Sequence, residues 1–141
     1  MECKAIRSSA YTATVLLVVG LLSCGSVAGA QSSGVDHTPV TSQELPHDPG
    51  RSLTAIVVAL APGAKAASHR HADIVFAYVL EGTVRSQLNG GDVIEYSAGQ
   101  SWVEPPGTVH TRTENPSQTM PARHLAVFIA PTGAQLTTVD K

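Results

Sequence analysis

The chain has 141 residues, and nine Lys and Arg against eleven Asp and Glu give it a net charge of −2 with His neutral. The cations are scattered and form no stripe that could follow a phosphate backbone, so nucleic acid is not an expected partner. Both cysteines, Cys3 and Cys24, precede residue 31, so the remaining residues, about 110 in number, must fold as one domain without disulfides.

The first thirty residues have the organisation of a secretory leader. Two basic residues near the start are followed by a nearly uncharged run over 10–22 and by the small-residue pattern Ala28-Gly29-Ala30. This pattern predicts a signal peptide over residues 1–30 and an exported protein, periplasmic or secreted. The apolar run is shorter than the roughly 20 residues of a membrane-spanning helix, so no transmembrane span is expected. Residues 21–24 also resemble a lipoprotein processing box, which leaves an anchor at Cys24 as the minor alternative.

Residues 31–50 are polar, which predicts an extended arm or a loosely attached first strand. His37 and His47 fall in this segment and are expected to be solvated, since nothing nearby offers the fixed geometry of a ligand site. Residues 51–130 carry the β-rich pattern of the folded domain, and residues 131–141 are predicted to form a C-terminal tail.

The folded domain is predicted to be all-β. Its β-branched and aromatic runs indicate strands, and Asn89-Gly90-Gly91 is a hairpin signal because Asn and Gly adopt positive φ at low cost. Short strands separated by turns every eight to twelve residues are typical of a sandwich or barrel. The predicted strands cover residues 53–60, 74–80, 83–88, 92–96, 101–104, 108–113 and 122–130.

Three histidines of this domain are candidate metal ligands. His69 and His71 are two residues apart, so on a strand both side chains point to the same face. With His110 they offer three neutral imidazoles, a set that suits a divalent transition metal and leaves coordination positions open. The alternative is a metal-free barrel in which the three rings are satisfied by each other, by backbone or by water.

The spacing of Gly63, His69-Arg70-His71 and Gly82 resembles the first motif of the cupin family. That motif places a carboxylate ligand where this chain has Val75. The resemblance therefore implies a neutral three-histidine site, which favours Fe, Zn, Ni or Cu over the harder Mn or Mg.

The second cupin motif is similar to Gly99, Pro105-Pro106-Gly107 and His110. The family's Asn arrives one position late, at Asn115, with Glu114 in its place. The resemblance implies a double-stranded β-helix, or jelly-roll, cupin barrel over residues 51–130.

In such a barrel four bulky residues are expected near the cavity, where they would favour a small, partly apolar organic ligand. For the aromatic residues of the first motif, plain core packing is the alternative. The four expected pocket residues are Val75, Phe76, Tyr78 and Trp102.

Four other polar residues are assigned less direct roles. Asp73 is expected to be an exposed turn carboxylate, with a contact to the metal as the alternative, and Arg70 is expected on the face opposite the ligand histidines. Glu104 is expected to be solvated or ion-paired, with a role as proton acceptor as the alternative. His124 could supply a fourth imidazole only if it faced inward, and it is expected to point away from the cavity because the aliphatic residues of its strand are expected to fill the inner face.

The sequence leaves three classes of function open. The first is a metal-dependent enzyme, such as an oxygenase, acting on a small organic molecule; its catalytic residues are not identified. The second is a ligand-binding module without turnover, and the third is a structural barrel without metal. A homodimer is expected in each case, because related sheets often associate.

Overall fold

The computed structural model describes residues 34–140, and within that range the protein is entirely β, as expected. No helix in this range could cross a membrane. The strands, β1 to β11 in chain order, cover Val35–Leu45, Asp48–Leu60, Lys65–Ala66, His69–His71, Ile74–Glu81, Thr83–Leu88, Val93–Ser97, Ser101–Glu104, Val109–Glu114, Ala122–Pro131 and Thr137–Val139.

The strands form two antiparallel sheets. The first has the order β1-β2-β10-β5-β8, and the second has the order β11-β4-β9-β6-β7 with β3 beside β9. From β4 onward the chain repeatedly passes from one sheet to the other. This winding places β4 and β9, which carry the two histidine motifs, side by side in the second sheet.

Both ends of the described domain contain strands. The segment predicted as an arm or first strand contains β1, which pairs with β2 from Val35↔Leu60 to Leu45↔Asp48. The predicted tail contains β11, which pairs with β4. Their polar composition follows from their exposed positions, since each strand lies at a sheet edge. The predicted signal peptide, residues 1–30, lies outside the described residues.

The space between the sheets is filled at one end and open at the other. At the filled end Leu60, Val79, Val84 and Trp102 pack into one apolar cluster. Side chains in a strand alternate between faces, so β10 contributes every second residue to the interior. Several of these are small, including Ala126, which lines a cavity between the sheets.

Two turns that require positive φ precede and follow β6. Asn89 and Gly90 both adopt positive φ, 53° and 68°, in the hairpin predicted between β6 and β7. Gly82, with φ of 70°, joins β5 to β6, and a Cβ there would lie 2.6 Å from the carbonyl oxygen of Pro121. Only glycine fits this close approach, which explains the residue that ends the first motif.

Candidate metal centre

The structure brings the three predicted histidines together. His69 and His71 share the inner face of β4, and His110 lies directly opposite His69 on β9. The ring centroids are 4.8 Å apart for His69 and His71 and 5.0 Å apart for His69 and His110. One ring nitrogen of each residue lies within 4.8 Å of the others, which groups the three as potential ligands of a single ion.

Backbone carbonyls orient the two histidines of the first motif. The Nδ1–H of His69 donates to the carbonyl oxygen of Ala67 at 2.7 Å, and that of His71 donates to Leu136 O at 3.2 Å. A carbonyl oxygen can only accept, so the Nε2 lone pair of each ring remains available to a ligand. Burial lowers the pKa of both imidazoles and outweighs the Glu104 charge and the backbone hydrogen bonds that raise it, so both rings are neutral near neutral pH.

His110 is held on both sides. Its Nε2 lies 2.8 Å from Ser86 Oγ and 2.9 Å from Thr113 Oγ1, and its Nδ1 lies 3.1 Å from Glu104 Oε1. The two hydroxyls fix the ring, while Nδ1 faces the carboxylate and the other imidazoles. Hydroxyl groups can donate to Nε2 or accept from Nε2–H, so Nδ1–H can donate to Glu104 without a metal, and a proton on Nε2 instead would free Nδ1 to bind one.

Glu104 is a site residue whose position the sequence interpretation missed. It was expected to be solvated or ion-paired, but it is 2% exposed and accepts a hydrogen bond from Trp102 Nε1 at 2.9 Å. Its second oxygen, Oε2, is buried without a hydrogen-bond partner and lies 3.6 Å from His71 Nε2. Burial alone raises the pKa of this carboxyl, but the contacts with His110, Trp102 and His71 together lower it, so Glu104 is an anion.

The position of Glu104 corrects the expected neutral site. Glu104 on β8 pairs directly with Val75 on β5, so the two side chains are neighbours on the inner face of the first sheet. A carboxylate is therefore present next to the position where the first cupin motif has one, but it comes from the adjacent strand. Strand pairing, which the local sequence does not reveal, brings it there.

The site opens into a cavity of about 280 Å³ between the sheets. Its apolar wall contains Val58, Val75, Ala126 and Phe128, and part of its rim comes from Val139 on β11. The polar groups on the wall are mainly the imidazoles and the Glu104 carboxylate. The cavity therefore combines a cluster of potential metal ligands with a dry surface for a small organic group.

The four expected pocket residues are divided by strand alternation. Val75 lines the cavity, but Phe76 and Tyr78 lie on the outer face of the sheet, 41% and 39% exposed. A strand that turns Val75 inward must turn Phe76 outward, so both could not line the same cavity. Trp102 is buried, and its ring lies 4.8 Å from that of Tyr96. It contributes to the site through the hydrogen bond from its Nε1 to Glu104.

Two histidines that were expected outside the site line the cavity. His124 is 5% exposed and points inward, on the face opposite the aliphatic residues of β10, as its alternation requires. The expectation that it points away from the cavity was wrong because those aliphatic residues cover the outer face of the sheet. His37 lies opposite Val58 on β1 and is exposed, as expected, although it also lines the cavity, and His47 is exposed in a turn.

The charged residues near the first motif lie outside the cavity. The Arg51 guanidinium binds Asp73 at 2.8 Å, so this carboxylate is ion-paired beside the β4–β5 turn. Arg70 points to the opposite face from the ligand histidines, as expected, and pairs with Asp140 at 2.9 Å.

The two residues that end the second motif also have structural contacts. Glu114 forms ion pairs with cations on the second sheet, and Asn115 donates to the carbonyl of Met120 at 2.7 Å.

Comparison with known proteins identifies the family. The cupin domain matches residues 56–128, which span β2 to β10, so the chain belongs to the cupin family. Comparison with functionally curated proteins gives no significant match.

Solved structures share the double-stranded β-helix fold. An RmlC-like cupin from Shewanella frigidimarina has a TM-score of 0.58 and 19% identity, over 73% of this chain and 82% of that one. KdgF from Halomonas sp. has a TM-score of 0.55 and 22% identity, over 74% and 86%. The DMSP lyase DddQ from Ruegeria pomeroyi has a TM-score of 0.60 and 18% identity, over 82% of this chain but 56% of the lyase. The TM-scores show a common fold, and at these identities the similarity shows the fold alone.

Proposed function

We propose that this protein is a metal-dependent cupin enzyme that binds a divalent transition metal and transforms a small organic molecule. The observation that carries this proposal is the cluster of three imidazoles, two of which contact a buried carboxylate with an unpartnered oxygen. His69 and His71 would bind through Nε2, His110 through Nδ1, and Glu104 through its carboxylate.

The distances among these groups support one shared ion. Glu104 Oε1 lies 3.1 Å from His110 Nδ1, and Oε2 lies 3.6 Å from His71 Nε2. Two ligands that are each about 2.1 Å from one metal lie roughly 3.0–3.5 Å from one another. The unpartnered oxygen also has a physical explanation, because an unpaired buried carboxylate oxygen is costly unless an ion or ligand completes it.

The donor set suits Fe, Zn, Ni or Cu, and the carboxylate adds Mn to the ions that the site could hold. When bound, such an ion polarises a ligand oxygen and holds the organic molecule in open coordination positions. The chain supplies the remaining requirements. The Glu104 anion offsets the charge of the ion, and the apolar wall of Val58, Val75 and Phe128 excludes water from the organic group.

Elemental analysis tests the metal assignment. Protein purified without chelator is expected to contain about one metal ion per chain, and His71→Ala is expected to lose most of it. His47→Ala is the matched control, because this exposed turn histidine lies outside the cavity. Equal metal in His71→Ala and the parent would reject the site. A parent protein that takes up no metal would leave a ligand-binding or structural cupin as the function.

Enzymatic activity is a separate part of the proposal. The metal-loaded protein is expected to consume a small substrate, with oxygen uptake if the reaction is an oxygenation, and chelation is expected to stop it. A protein that binds metal and ligand without any product formation would instead be a binding module.

We also propose a homodimer formed through the outer face of the first sheet. Neighbouring rows of apolar side chains on β5 and β10 face outward and pair across the strands as Ile74↔Ile129, Phe76↔Val127 and Tyr78↔Leu125. A second copy of the chain would cover this exposed surface. Phe76→Asp is expected to yield monomers in light scattering after gel filtration, whereas Met120→Asp, at an exposed loop residue, is expected to remain dimeric. A monomeric parent protein would contradict the proposal.

Export is proposed from the amino-terminal sequence pattern alone. Cleavage after Ala30 would give a mature chain that begins at Gln31, whereas lipidation would give one that begins at Cys24. Mass analysis of the protein recovered from the exporting cell distinguishes the two, and an uncleaved cytoplasmic chain would contradict both.

A further inference from the structure

His124 is a buried polar group that the proposed metal centre does not use. Its ring lines the cavity from the first sheet, while the proposed metal-ligand histidines belong to the second. On the neighbouring strands it pairs with Val58 and Val79, which offer no hydrogen bond from their side chains. Its Nδ1 is sealed from solvent and has no hydrogen-bond partner.

This arrangement is costly for the fold alone. An unsatisfied buried polar group costs roughly 1–3 kcal/mol, and an aliphatic residue at this position would avoid the cost. Burial also lowers the pKa of His124 to about 4, so the ring is a neutral hydrogen-bonding group near neutral pH. A buried N–H is left unpaired more rarely than an acceptor is, so the sealed Nδ1 favours the tautomer with the proton on Nε2.

We infer that His124 Nε2–H is a second anchor in the cavity, and that it donates to an uncharged carbonyl or hydroxyl oxygen of the ligand that is not part of the metal-binding group. The inference rests on the proposed function for the metal-bound end. The ligand would be a compact molecule with a metal-binding oxygen group, a short apolar segment and this distal oxygen.

The cavity supports this ligand class. Its volume of about 280 Å³ is equivalent to about nine water molecules, which limits the ligand to a small molecule. None of the described residues lining it is Lys or Arg, so no cation is present beside His124 to pair with a second carboxylate. A neutral distal oxygen is therefore preferred over a charged one, since burying an unpaired charge is costly.

Three simple acids test the preference. Pentanoate, 4-oxopentanoate and succinate each carry one carboxylate for the metal but differ at the distal end, which is apolar, a neutral carbonyl and a second carboxylate respectively. Calorimetric titration of the nickel-loaded protein is expected to show 4-oxopentanoate binding roughly three- to tenfold more tightly than pentanoate, the gain of one hydrogen bond. Succinate is expected to bind no more tightly than pentanoate.

Substitutions connect the preference to His124. His124→Leu is expected to bring the ratio of the pentanoate and 4-oxopentanoate dissociation constants to about one, with metal content unchanged. His124→Gln, whose amide reaches the position of Nε2, is expected to keep most of the ratio, and His47→Leu is expected to keep all of it. Retention of a cooperative unfolding transition checks that each variant is folded.

The results that would overturn the inference are distinct from those against the metal centre. An unchanged ratio in His124→Leu, a preference for succinate, or no binding of any acid to metal-loaded protein would overturn it. Absence of metal from the parent protein would instead reject the proposed function. The ratio of the pentanoate and 4-oxopentanoate dissociation constants, measured on metal-free protein, would then still test the role of His124. Equal or undetectable affinities for the two acids would reject that role.

Discussion

The buried imidazole of His124 predicts a specific pH dependence of folding stability. Burial lowers its pKa in the folded protein from the ordinary 6.5 to about 4. Between these two values the unfolded chain binds a proton that the folded chain excludes, so the free energy of unfolding falls as the pH is lowered. As the pH falls, this destabilisation begins near the ordinary pKa of 6.5 and is complete below the pKa of about 4 in the folded protein.

The size of the effect follows from the two pKa values. A difference between 6.5 and about 4 corresponds to about 3 kcal/mol once His124 is protonated in both states. On going from about pH 7.5 to about pH 5, the expected loss from this residue is about 2 kcal/mol, because the protonation of the unfolded state is then nearly complete.

Urea unfolding of metal-free protein at the two pH values measures this loss. Other groups also titrate, so the comparison is between the parent and His124→Gln, which keeps a polar side chain that does not ionise. The parent is expected to lose about 2 kcal/mol more than His124→Gln between about pH 7.5 and about pH 5. His47→Gln, which changes an exposed histidine, is expected to behave like the parent. Equal losses in the parent and His124→Gln would refute the reasoning.

Three further substitutions test the site and the fold. Glu104→Gln is expected to weaken metal binding in a competition titration by roughly 10- to 100-fold. Adding Val75→Glu, on the paired strand, is expected to restore part of the lost affinity. Unchanged affinity in Glu104→Gln would remove Glu104 from the ligand set. Thr113→Val removes one hydroxyl from the third imidazole and is expected to weaken metal binding by about tenfold, whereas a gain would indicate that Nε2 coordinates instead. Gly90→Ala is expected to lower the free energy of unfolding by about 1–2 kcal/mol, because its positive φ is unfavourable for alanine. Gly82→Ala is expected to lower it by more, because a Cβ at position 82 also meets a carbonyl oxygen at 2.6 Å. Equal losses in urea unfolding would contradict this.

Much of the fold could be predicted because the relevant signals are local. Alternation, β-branched content and turn residues predict strands such as Ser101–Glu104 and Thr83–Leu88 with their observed bounds. The polar edge strands β1 and β11 were less evident, because their own residues bury little and the pairing partner supplies the stability. The H-x-H spacing likewise predicts that His69 and His71 share a face.

The rest of the site depended on which face of each strand points inward. Alternation correctly separates His124 from the aliphatic residues of its strand, but it does not say which set faces the cavity. The usual assumption that large apolar residues face inward fails here, because the outer face of the first sheet is itself apolar. The same assumption made Phe76 an expected pocket residue.

The sequence by itself determined the local features, namely the β-strands, the turns that need positive φ, and the shared face of His69 and His71, because each depends on residues close together in the chain. Only the tertiary structure decided that Glu104 lies beside the histidine cluster and that His124 enters the cavity. Glu104 reaches its position through pairing with a strand almost thirty residues away in sequence, and that pairing is set by the packing of two whole sheets.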